Sequence, residues 1–399
     1  MFCGIHHSGV WLLRAPAVLA TLLVATAGAE TGKAVPGLEA RVQFGFGHDS
    51  NSYREAVTVD PGYFLPYDIR AEYVPPLSKS SRLQLTAAAD GQLYLGSVTD
   101  GGEQDIDLGI DYSRRLVGGE RGRASTPSLD AAVHGGFAVN RRTYISRLAG
   151  EEYSVDFNGI PVPLGDRFNS NDLAGGVDLS LRCPKRTQWS AAFDVRHRNY
   201  VEDYEALPDV DRLDNRRTEA SFRMTQRVGG PVRLRAEYAY EVTDYYDRAV
   251  RDLDGDRVEG VAQTFFFNTL RGGVRFELGQ FWRIELESAW RERQDPYQGY
   301  YDAAEWSVGP EVRVAATPRL GLRADYEYAH RNYERAHVNF DPARPLRRDH
   351  DHHLILEGTY KLNPRSSCFI LVEHDNVDEA NPAYTYDRTR GAVGYELRY

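Results

Sequence analysis

The chain ends with Val393-Gly394-Tyr395-Glu396-Leu397-Arg398-Tyr399, a segment in which residue character alternates at every position. The apolar and aromatic residues occupy alternate positions, with Gly394, Glu396 and Arg398 between them. Successive side chains of a β-strand point to opposite faces, so a strand here has one apolar face with an aromatic end and one charged face. The segment therefore predicts a strand that separates an apolar environment from a polar one.

The same segment resembles the insertion signal of bacterial outer-membrane β-barrels, which has a Gly, an apolar residue three positions later and a terminal aromatic residue. Gly394, Leu397 and Tyr399 match this order, whereas Ala392 replaces the polar residue that usually precedes the Gly. The resemblance implies location in the cell outer membrane. It also implies barrel-insertion machinery as a partner of residues Val393–Tyr399.

The N-terminal segment has the order of residues found in secretory signal peptides. Arg14 precedes an apolar run, Ala15–Val24, and small residues follow at Ala27-Gly28-Ala29. This run is shorter than a membrane-spanning helix. We expect residues 1–29 to be a signal peptide, cleaved after Ala29, and residues 30–399 to form one barrel domain.

The composition excludes a membrane protein built from helices. The mean hydropathy is -0.52, 27% of the residues are charged, and no later segment offers about 20 consecutive apolar residues. A β-barrel requires apolar residues only at alternate positions, and 25 Tyr and 36 Gly suit strands, membrane interfaces and crowded sheet faces. Cys183 and Cys368 are predicted to be free thiols.

Alternation along the mature chain predicts sixteen strands, joined by connections that are in turn short and long. Outer-membrane barrels combine an even strand number with short periplasmic turns and long extracellular loops. The sequence thus predicts an all-β fold, a transmembrane antiparallel up-and-down barrel of about sixteen strands. The predicted strands begin near Leu38, Tyr63, Arg82, Asp105, Ser128, Asn171, Gln188, Arg217, Val232, Phe265, Phe281, Trp306, Leu320, His353, Cys368 and Thr385.

A soluble β-sandwich or propeller also alternates, but the polar faces of these strands argue against it. In the segment from Trp282 to Arg293, one face carries Trp282, Leu286 and Trp290, and the other is charged at nearly every position. If the apolar face contacts lipid, the charged face must line the lumen. A sixteen-strand barrel is wide enough for an aqueous channel.

The predicted pore-lining residues are arginines and carboxylates on the polar faces. Opposite charges on neighbouring strands can pair and stiffen the wall, or the arginine forks can bind carboxylate or phosphate groups of a polar solute such as a glycan. Both interpretations remain open from the sequence. The residues are Arg41, Arg70, Arg82, Asp107, Asp111, Arg182, Arg196, Arg223, Arg235, Glu237, Arg271, Arg275, Arg283, Glu285, Arg313 and Arg323.

The predicted extracellular loops are acidic and rich in tyrosine. Glu202–Glu205 and Asp252–Asp256 contribute to the formal net charge of -10. This charge argues against nucleic acid as a partner and favours lipid and lipopolysaccharide bridged by divalent cations. Loop tyrosines such as Tyr300, Tyr301 and Tyr333 are predicted to join the aromatic girdle or to offer stacking faces to sugars.

The first predicted strand ends in Phe44-Gly45-Phe46-Gly47-His48-Asp49-Ser50-Asn51-Ser52-Tyr53-Arg54. This segment resembles the opening of stand-alone outer-membrane barrels associated with exopolysaccharide export, and also the barrel of surface-lipoprotein assembly modifiers. Those barrels often have Tyr where this chain has His48. The resemblance implies a porin-like conduit for a polysaccharide, with periplasmic export partners. An assembly or adhesion factor acting through its loops is an alternative.

A second alternative is enzymatic. His48-x-Ser50-Asn51 is similar to the element of outer-membrane phospholipase A and the lipid A deacylases, which implies His48 as general base and Ser50 as nucleophile of an acyl hydrolase. Residues i and i+2 share a strand face, here the lipid side. Such enzymes need a third group that orients the histidine, and the sequence identifies none. The main prediction is therefore a channel rather than an enzyme.

Two acidic segments have the composition of metal sites. Asp252, Asp254, Asp256 and Glu259 approach the carboxylate spacing of a calcium loop, although Gly255 comes one position early. Residues 349–353, Asp-His-Asp-His-His, offer imidazole ligands at a strand end. We expect both segments to be solvated loop ends, and no metal or other cofactor is predicted.

Overall fold

A computed structural model describes residues 36–50, 61–78, 80–95, 103–118, 127–142, 154–157, 160–163, 169–184, 186–201, 213–338, 342–380 and 385–399. These residues form a closed antiparallel barrel and a separate two-stranded sheet. No helix in the described part of the chain is long and apolar enough to cross a membrane. The predicted signal peptide lies outside the described residues.

The described residues form eighteen strands in chain order, and all but β6 and β7 belong to the barrel. Their bounds are β1 Leu38–Asp49, β2 Gly62–Tyr73, β3 Ser81–Leu95, β4 Glu103–Val117, β5 Ser128–Arg142, β6 Ser154–Phe157, β7 Ile160–Pro163, β8 Ser170–Arg182, β9 Thr187–Tyr200, β10 Asn215–Arg227, β11 Val232–Arg251, β12 Arg257–Leu278, β13 Trp282–Gln294, β14 Ala303–Ala315, β15 Leu320–His337, β16 Leu346–Asn363, β17 Ser366–Glu379 and β18 Tyr386–Arg398.

Each barrel strand pairs with the next one in the chain, β5 pairs with β8, and β18 returns to pair with β1. Closure leaves no sheet edge with unpaired backbone groups, which is the condition for a β-structure to cross lipid. The predicted sixteen-strand up-and-down barrel is confirmed. Where β18 closes on β1, Arg41 lies opposite Arg398, and the Arg41 guanidinium is 3.9 Å from the Glu396 carboxylate.

The predicted strand starts agree with the structure except at two hairpins. Strand β12 begins at Arg257 instead of near Phe265, and β16 begins at Leu346 instead of near His353. With 22 and 18 residues, these strands exceed the roughly 9–11 residues that cross a bilayer. Beyond the lipid, the outer face need not be apolar, so alternation no longer marks the strand and the sequence suggests a loop.

Short turns join the strands at the end of the barrel that holds the chain termini, and their residues favour tight turns. Gly229 and Gly230, between β10 and β11, both have positive φ, at 60° and 39°. The Thr317 hydroxyl, between β14 and β15, accepts hydrogen bonds from the backbone N–H groups of Arg319 and Leu320 at 3.2 and 2.9 Å. These turns fix the register of the hairpins that follow them.

The outer face of the barrel is apolar and exposed. On β13, Trp282 and Trp290 are 48% and 46% exposed, and Leu286 between them is 46% exposed. A soluble protein would bury such a row in its core, whereas a membrane barrel turns it to lipid, with aromatic residues at the two interfaces. The fold therefore has its apolar belt outside and its charged residues inside.

Candidate functional site: the inner wall of the barrel

Ion pairs that reach over an intervening strand identify the inner face. Arg235 on β11 contacts Glu287 on β13 at 3.4 Å, and Arg291 on β13 contacts Glu241 on β11 at the same distance. Such pairs form on the concave side, where side chains converge. The inner face is thus the one opposite the exposed apolar residues.

All sixteen predicted pore-lining residues lie in barrel strands, on the face opposite the lipid-facing side chains. They are Arg41 on β1, Arg70 on β2, Arg82 on β3, Asp107 and Asp111 on β4, Arg182 on β8, Arg196 on β9, Arg223 on β10, Arg235 and Glu237 on β11, Arg271 and Arg275 on β12, Arg283 and Glu285 on β13, Arg313 on β14 and Arg323 on β15.

The wall formed by β10–β15 carries carboxylates that each hold several arginines. The Glu237 carboxylate accepts hydrogen bonds from Arg223, Arg235 and Arg271 at 2.6–2.8 Å and is nearly buried by them. The cost of removing the Glu237 carboxylate from water is offset by these short charge-assisted contacts with three guanidinium groups. Glu237 therefore acts as the centre of a fixed positive cluster.

The same arrangement recurs along this wall. Glu285 binds Arg275 and Arg283, with contacts of 2.7–2.8 Å, and Glu311 binds Arg313 and Arg323, with contacts of 2.7–3.1 Å. In the groups around Glu237 and Glu285 the guanidinium groups outnumber the carboxylates, so these two groups remain positive, whereas Arg323 also binds Asp325 at 2.5 Å and the Glu311 group is balanced. We call β10–β15 the basic sector. Its arginines and carboxylates pair across strands, which is one of the two interpretations that the sequence left open. The arginines in excess leave positive charge toward the lumen.

The opposite charge dominates β2–β4. Asp90 on β3 lies directly between Asp68 on β2 and Asp105 on β4 in the strand register. Asp68 is neutralised by Arg41 and Arg70 at 2.7 and 3.0 Å. Among the described residues, Asp90 has no guanidinium within ion-pair distance. With Asp107 and Asp111 on β4, these residues form an acidic sector on the inner wall.

A buried triad fixes the seam where the first and last strands meet. Asp49 at the end of β1 accepts hydrogen bonds from Arg388 on β18 and from the Tyr94 hydroxyl on β3. The Arg388 Nε–Asp49 Oδ2 distance is 2.9 Å, and the Tyr94 hydroxyl oxygen lies 2.8 Å from Asp49 Oδ2. The exposed fractions are 0% for Asp49, 2% for Arg388 and 6% for Tyr94. The triad is not evident in the sequence, because Asp49 and Arg388 are 339 positions apart and meet only when the barrel closes.

An aromatic cluster occupies the end of the barrel opposite the chain termini. Phe265, Tyr300, Tyr301 and Tyr333 are buried together, and the Arg293 guanidinium lies over the Phe265 and Tyr333 rings, 5.0 Å from each centroid. Burial raises the pKa of the Tyr300 hydroxyl, which lies in the turn between β13 and β14. These tyrosines form a core that stiffens the extended hairpins and do not present free faces to sugars.

The proposed hydrolase pair is engaged elsewhere. His48 faces outward against the Tyr63 ring, with centroids 5.2 Å apart, and the Ser50 hydroxyl accepts the Thr389 backbone N–H at 2.7 Å. Within the described residues, no hydrogen bond joins His48 to Ser50, although a nucleophile and its base need one. The geometry does not favour the acyl hydrolase. Asn51 lies outside the described residues.

The acidic loop after β11 is organised around its own backbone. Asp252 Oδ1 accepts the N–H groups of Asp254 and Asp256 at 3.0 and 2.9 Å, and Gly255 adopts a φ of 86°. Glu259 pairs with Arg257 at 3.3 Å. In the part of the chain that the structure describes, no group of three or more His, Cys, Asp or Glu residues could hold a metal ion.

The histidine-rich segment is divided between the two faces of β16. His350 and His352 face outward and contact the Tyr328 and Tyr326 hydroxyls at 2.9 and 2.8 Å, whereas His353 faces inward and contacts Asp375 at 2.5 Å. Alternation along a strand therefore prevents these imidazoles from converging on one ion. Cys183 and Cys368 are both free thiols, as predicted, and Cys368 lies in β17.

Comparisons with known proteins extend to the fold alone. No family model matches the chain, and no curated protein matches it. Among solved structures, it is similar to the anion-selective porin from Comamonas acidovorans, with a TM-score of 0.47 and 11% identity over 91% of this chain and 98% of that chain. It is also similar to OpdK of Pseudomonas aeruginosa with vanillate, with a TM-score of 0.45 and 13% identity over 91% and 98% of the two chains. A third similar structure is OmpT of Vibrio cholerae, with a TM-score of 0.45 and 10% identity over 91% and 97%. These values carry no inference about what this barrel transports.

The closed sheet, the exposed apolar belt and the charged inner wall define the class of this protein. Only helices and closed barrels satisfy all backbone groups within lipid, and barrels with an apolar outer band and a polar interior are those of outer membranes. The chain is a transmembrane β-barrel of the cell outer membrane.

Proposed function

We propose that this barrel is a passive channel and that it serves as the outer-membrane conduit of a polysaccharide export system. The observation that carries the proposal is the inner wall, where arginine and carboxylate side chains line successive strands around the barrel. A barrel with a closed, packed interior would be lined by apolar side chains. A sixteen-strand barrel is also too wide for its side chains to fill the interior.

The distribution of charge supports passage of a polar, hydrogen-bonding solute. The basic sector presents guanidinium groups that remain partly exposed: Arg223, Arg271 and Arg313 retain 45–47% of their side-chain surface. The planar donor fork of arginine suits carboxylate and phosphate groups of a glycan. The acidic sector carries negative charge. A polymer with both hydrogen-bond donors and acceptors can therefore bind to the acidic and the basic sectors of the inner wall.

The export role in particular is supported by the resemblance of the Phe44–Arg54 segment to barrels associated with exopolysaccharide systems. Periplasmic export partners and lipopolysaccharide contacts belong to the same proposal. A surface assembly or adhesion role would act through the loops, many of which lie outside the described residues, and it stays a prediction.

Ion conductance of the purified barrel in a planar lipid bilayer tests the channel. We expect stepwise insertion events with a constant conductance per barrel, and we expect charged oligosaccharides added to one chamber to interrupt the current. The same preparation, unfolded by heat before addition, is the control. A folded barrel that inserts and conducts no ions contradicts the proposal, and conductance that glycans never interrupt contradicts the polysaccharide part of it.

A further inference from the structure

A cavity on the inner wall differs from its surroundings because its floor is apolar. It lies where β17, β18 and β1 meet β2–β4 and has a volume of 330 Å³. This is within the range of about 300–1,000 Å³ for small-molecule sites. Its floor consists of Phe64, Pro66, Phe369, Leu371 and Ala392. Apolar side chains toward an aqueous lumen are unfavourable unless something covers them, so the floor requires an explanation.

Two glycines seat the Phe369 ring against the barrel wall. Gly45 on β1 lies opposite Gly394 on β18, and both face the lumen. A Cβ atom at Gly394 would lie 2.4 Å from the Phe369 ring, and one at Gly45 would lie 3.2 Å from it. Packing of an aromatic ring over strand glycines stabilises a sheet, which accounts for one side of the ring. The ring remains only half-buried, so its other side is open to the cavity.

Polar groups around the floor are mainly acceptors. Carboxylates of Asp68, Asp90, Glu103, Asp105 and Glu373 line the cavity, and Arg390 is the single cation among the described lining residues. Arg390 donates hydrogen bonds to the Glu373 carboxylate and to the side-chain amide oxygen of Gln92. Asp68 is paired with Arg41 and Arg70, whereas Asp90 has no guanidinium within ion-pair distance among the described residues, so the rim keeps negative charge at Asp90. The side-chain amide of Gln43 adds a donor and an acceptor.

We infer that this cavity binds a pyranose ring bearing an ammonium group, that is, an amino-sugar unit. The apolar face of a sugar ring suits the exposed side of Phe369 with Pro66 and Leu371, as aromatic and apolar floors do in small-molecule sites. The ammonium group pairs with the Asp90 carboxylate, and the hydroxyls bind the Gln43 amide and the remaining carboxylate oxygens. The inference rests on the proposed channel, because the site is reached through the lumen.

Single-channel recording with matched trisaccharides tests the inference. The probes are chitotriose, which carries an ammonium on each ring, and its fully acetylated neutral counterpart. We expect chitotriose to interrupt the ion current at concentrations about tenfold lower than the acetylated form, because acetylation removes the charge-assisted hydrogen bond to the rim carboxylate. Spermidine, a cation without a ring, is expected to interrupt the current far less than chitotriose.

Two variants locate the effect in the cavity. Asp90→Asn removes a rim carboxylate at constant size and is expected to weaken the chitotriose effect about tenfold. Glu327→Gln removes an exposed inner-wall carboxylate on β15, outside this cavity, and is expected to leave the effect unchanged. Both variants are first checked for normal open-channel conductance and heat-modifiable migration, which show that the barrel is folded.

Three results overturn the inference: equal block by the acetylated trisaccharide, equal block by spermidine, or an unchanged chitotriose effect in Asp90→Asn. A barrel that does not conduct ions contradicts the proposed channel and can be distinguished from these three results. If the folded protein does not conduct, titration calorimetry of chitotriose into the detergent-solubilised barrel still tests the site. Binding that Asp90→Asn abolishes supports the site without the channel, and no binding overturns both.

Discussion

Asp49 shows how one residue can belong to a recognisable segment and yet have a role that the segment does not reveal. It stands between His48 and Ser50, which the sequence relates to acyl hydrolases. In the barrel, however, Asp49 is fully buried against Arg388 and Tyr94. The residue with the clearest role at this site thus fastens the first strand to the last.

Replacement of Arg388 by Ala is expected to destabilise the barrel strongly, because it leaves the Asp49 carboxylate buried without its cation. Breaking a buried ion pair costs about 3–5 kcal/mol. Urea unfolding of the barrel in detergent, followed by tryptophan fluorescence, measures the loss. Arg398→Ala is the control; the Arg398 side chain is 57% exposed beside Glu396, and loss of such a pair costs under about 1 kcal/mol. Equal losses in the two variants would contradict a special role for the triad.

Ser50→Ala is expected to have no enzymatic consequence. Since the Ser50 hydroxyl accepts a backbone N–H and makes no described hydrogen bond to His48, it lacks an activating base. The measurement is the release of fatty acid from phospholipid vesicles and from lipid A, with background rates expected for both the unmodified and the substituted protein. Release by the unmodified protein that Ser50→Ala abolishes would restore the hydrolase interpretation.

Among the strands, alternation of apolar and polar residues is clear in β18 and is lost in the parts of the long hairpins that extend beyond the lipid. Strand β18 lies in lipid on one side and in the lumen on the other, so each residue position is constrained and the pattern is clear. In contrast, β11 and β12 extend past the lipid with 20 and 22 residues, and contacts such as those of Phe265 with Tyr301 hold them together. Where tertiary packing replaces the bilayer, alternation disappears.

Gly394→Val is expected to prevent closure of the barrel. A Cβ atom at this position would lie 2.3 Å from the Phe44 carbonyl oxygen and 2.4 Å from the Phe369 ring, so the β1–β18 seam would have to open. The measurement is the fraction of protein that gains heat-modifiable, protease-resistant form on refolding, and most of it should be lost. Gly272→Val is the control, because the nearest atom to a Cβ there is 3.8 Å away, at ordinary contact distance. A normally folded Gly394→Val barrel would show that the seam is not tightly packed.

At the scale of the whole molecule, charge is not spread evenly around the lumen. Several carboxylates in the basic sector are surrounded by two or three arginines, as Glu237 is by Arg223, Arg235 and Arg271. Across β2–β4, acids such as Asp90 and Asp105 lie side by side. Such a separation of charge sets a field across the channel that orients a polar solute as it passes.

Neutralising part of the basic sector is expected to shift ion selectivity toward cations. In a double variant of Arg235→Gln and Arg271→Gln, the Glu237 charge is met by Arg223 alone. The ratio of chloride to potassium permeability should fall by up to about fivefold, because a unit charge within about 4 Å contributes about 1 kcal/mol in water. Reversal potentials in a salt gradient measure the ratio. Asp90→Asn should shift it the other way, and a shift in the same direction for both would contradict separate sectors.

The fold class, the number of barrel strands and the face of each strand follow from the pattern of residues along the chain, because lipid on one side and water on the other constrain every second residue. That rule placed Arg235, Glu237 and Arg283 on one face, and they lie there in the structure. Contacts between side chains on different strands are seen only in the folded barrel. They include the triad of Asp49, Arg388 and Tyr94, the arginine groups around Glu237 and the cavity at Phe369. These depend on barrel closure and on the register between strands distant in the chain. Alternation within one strand carries no information about either.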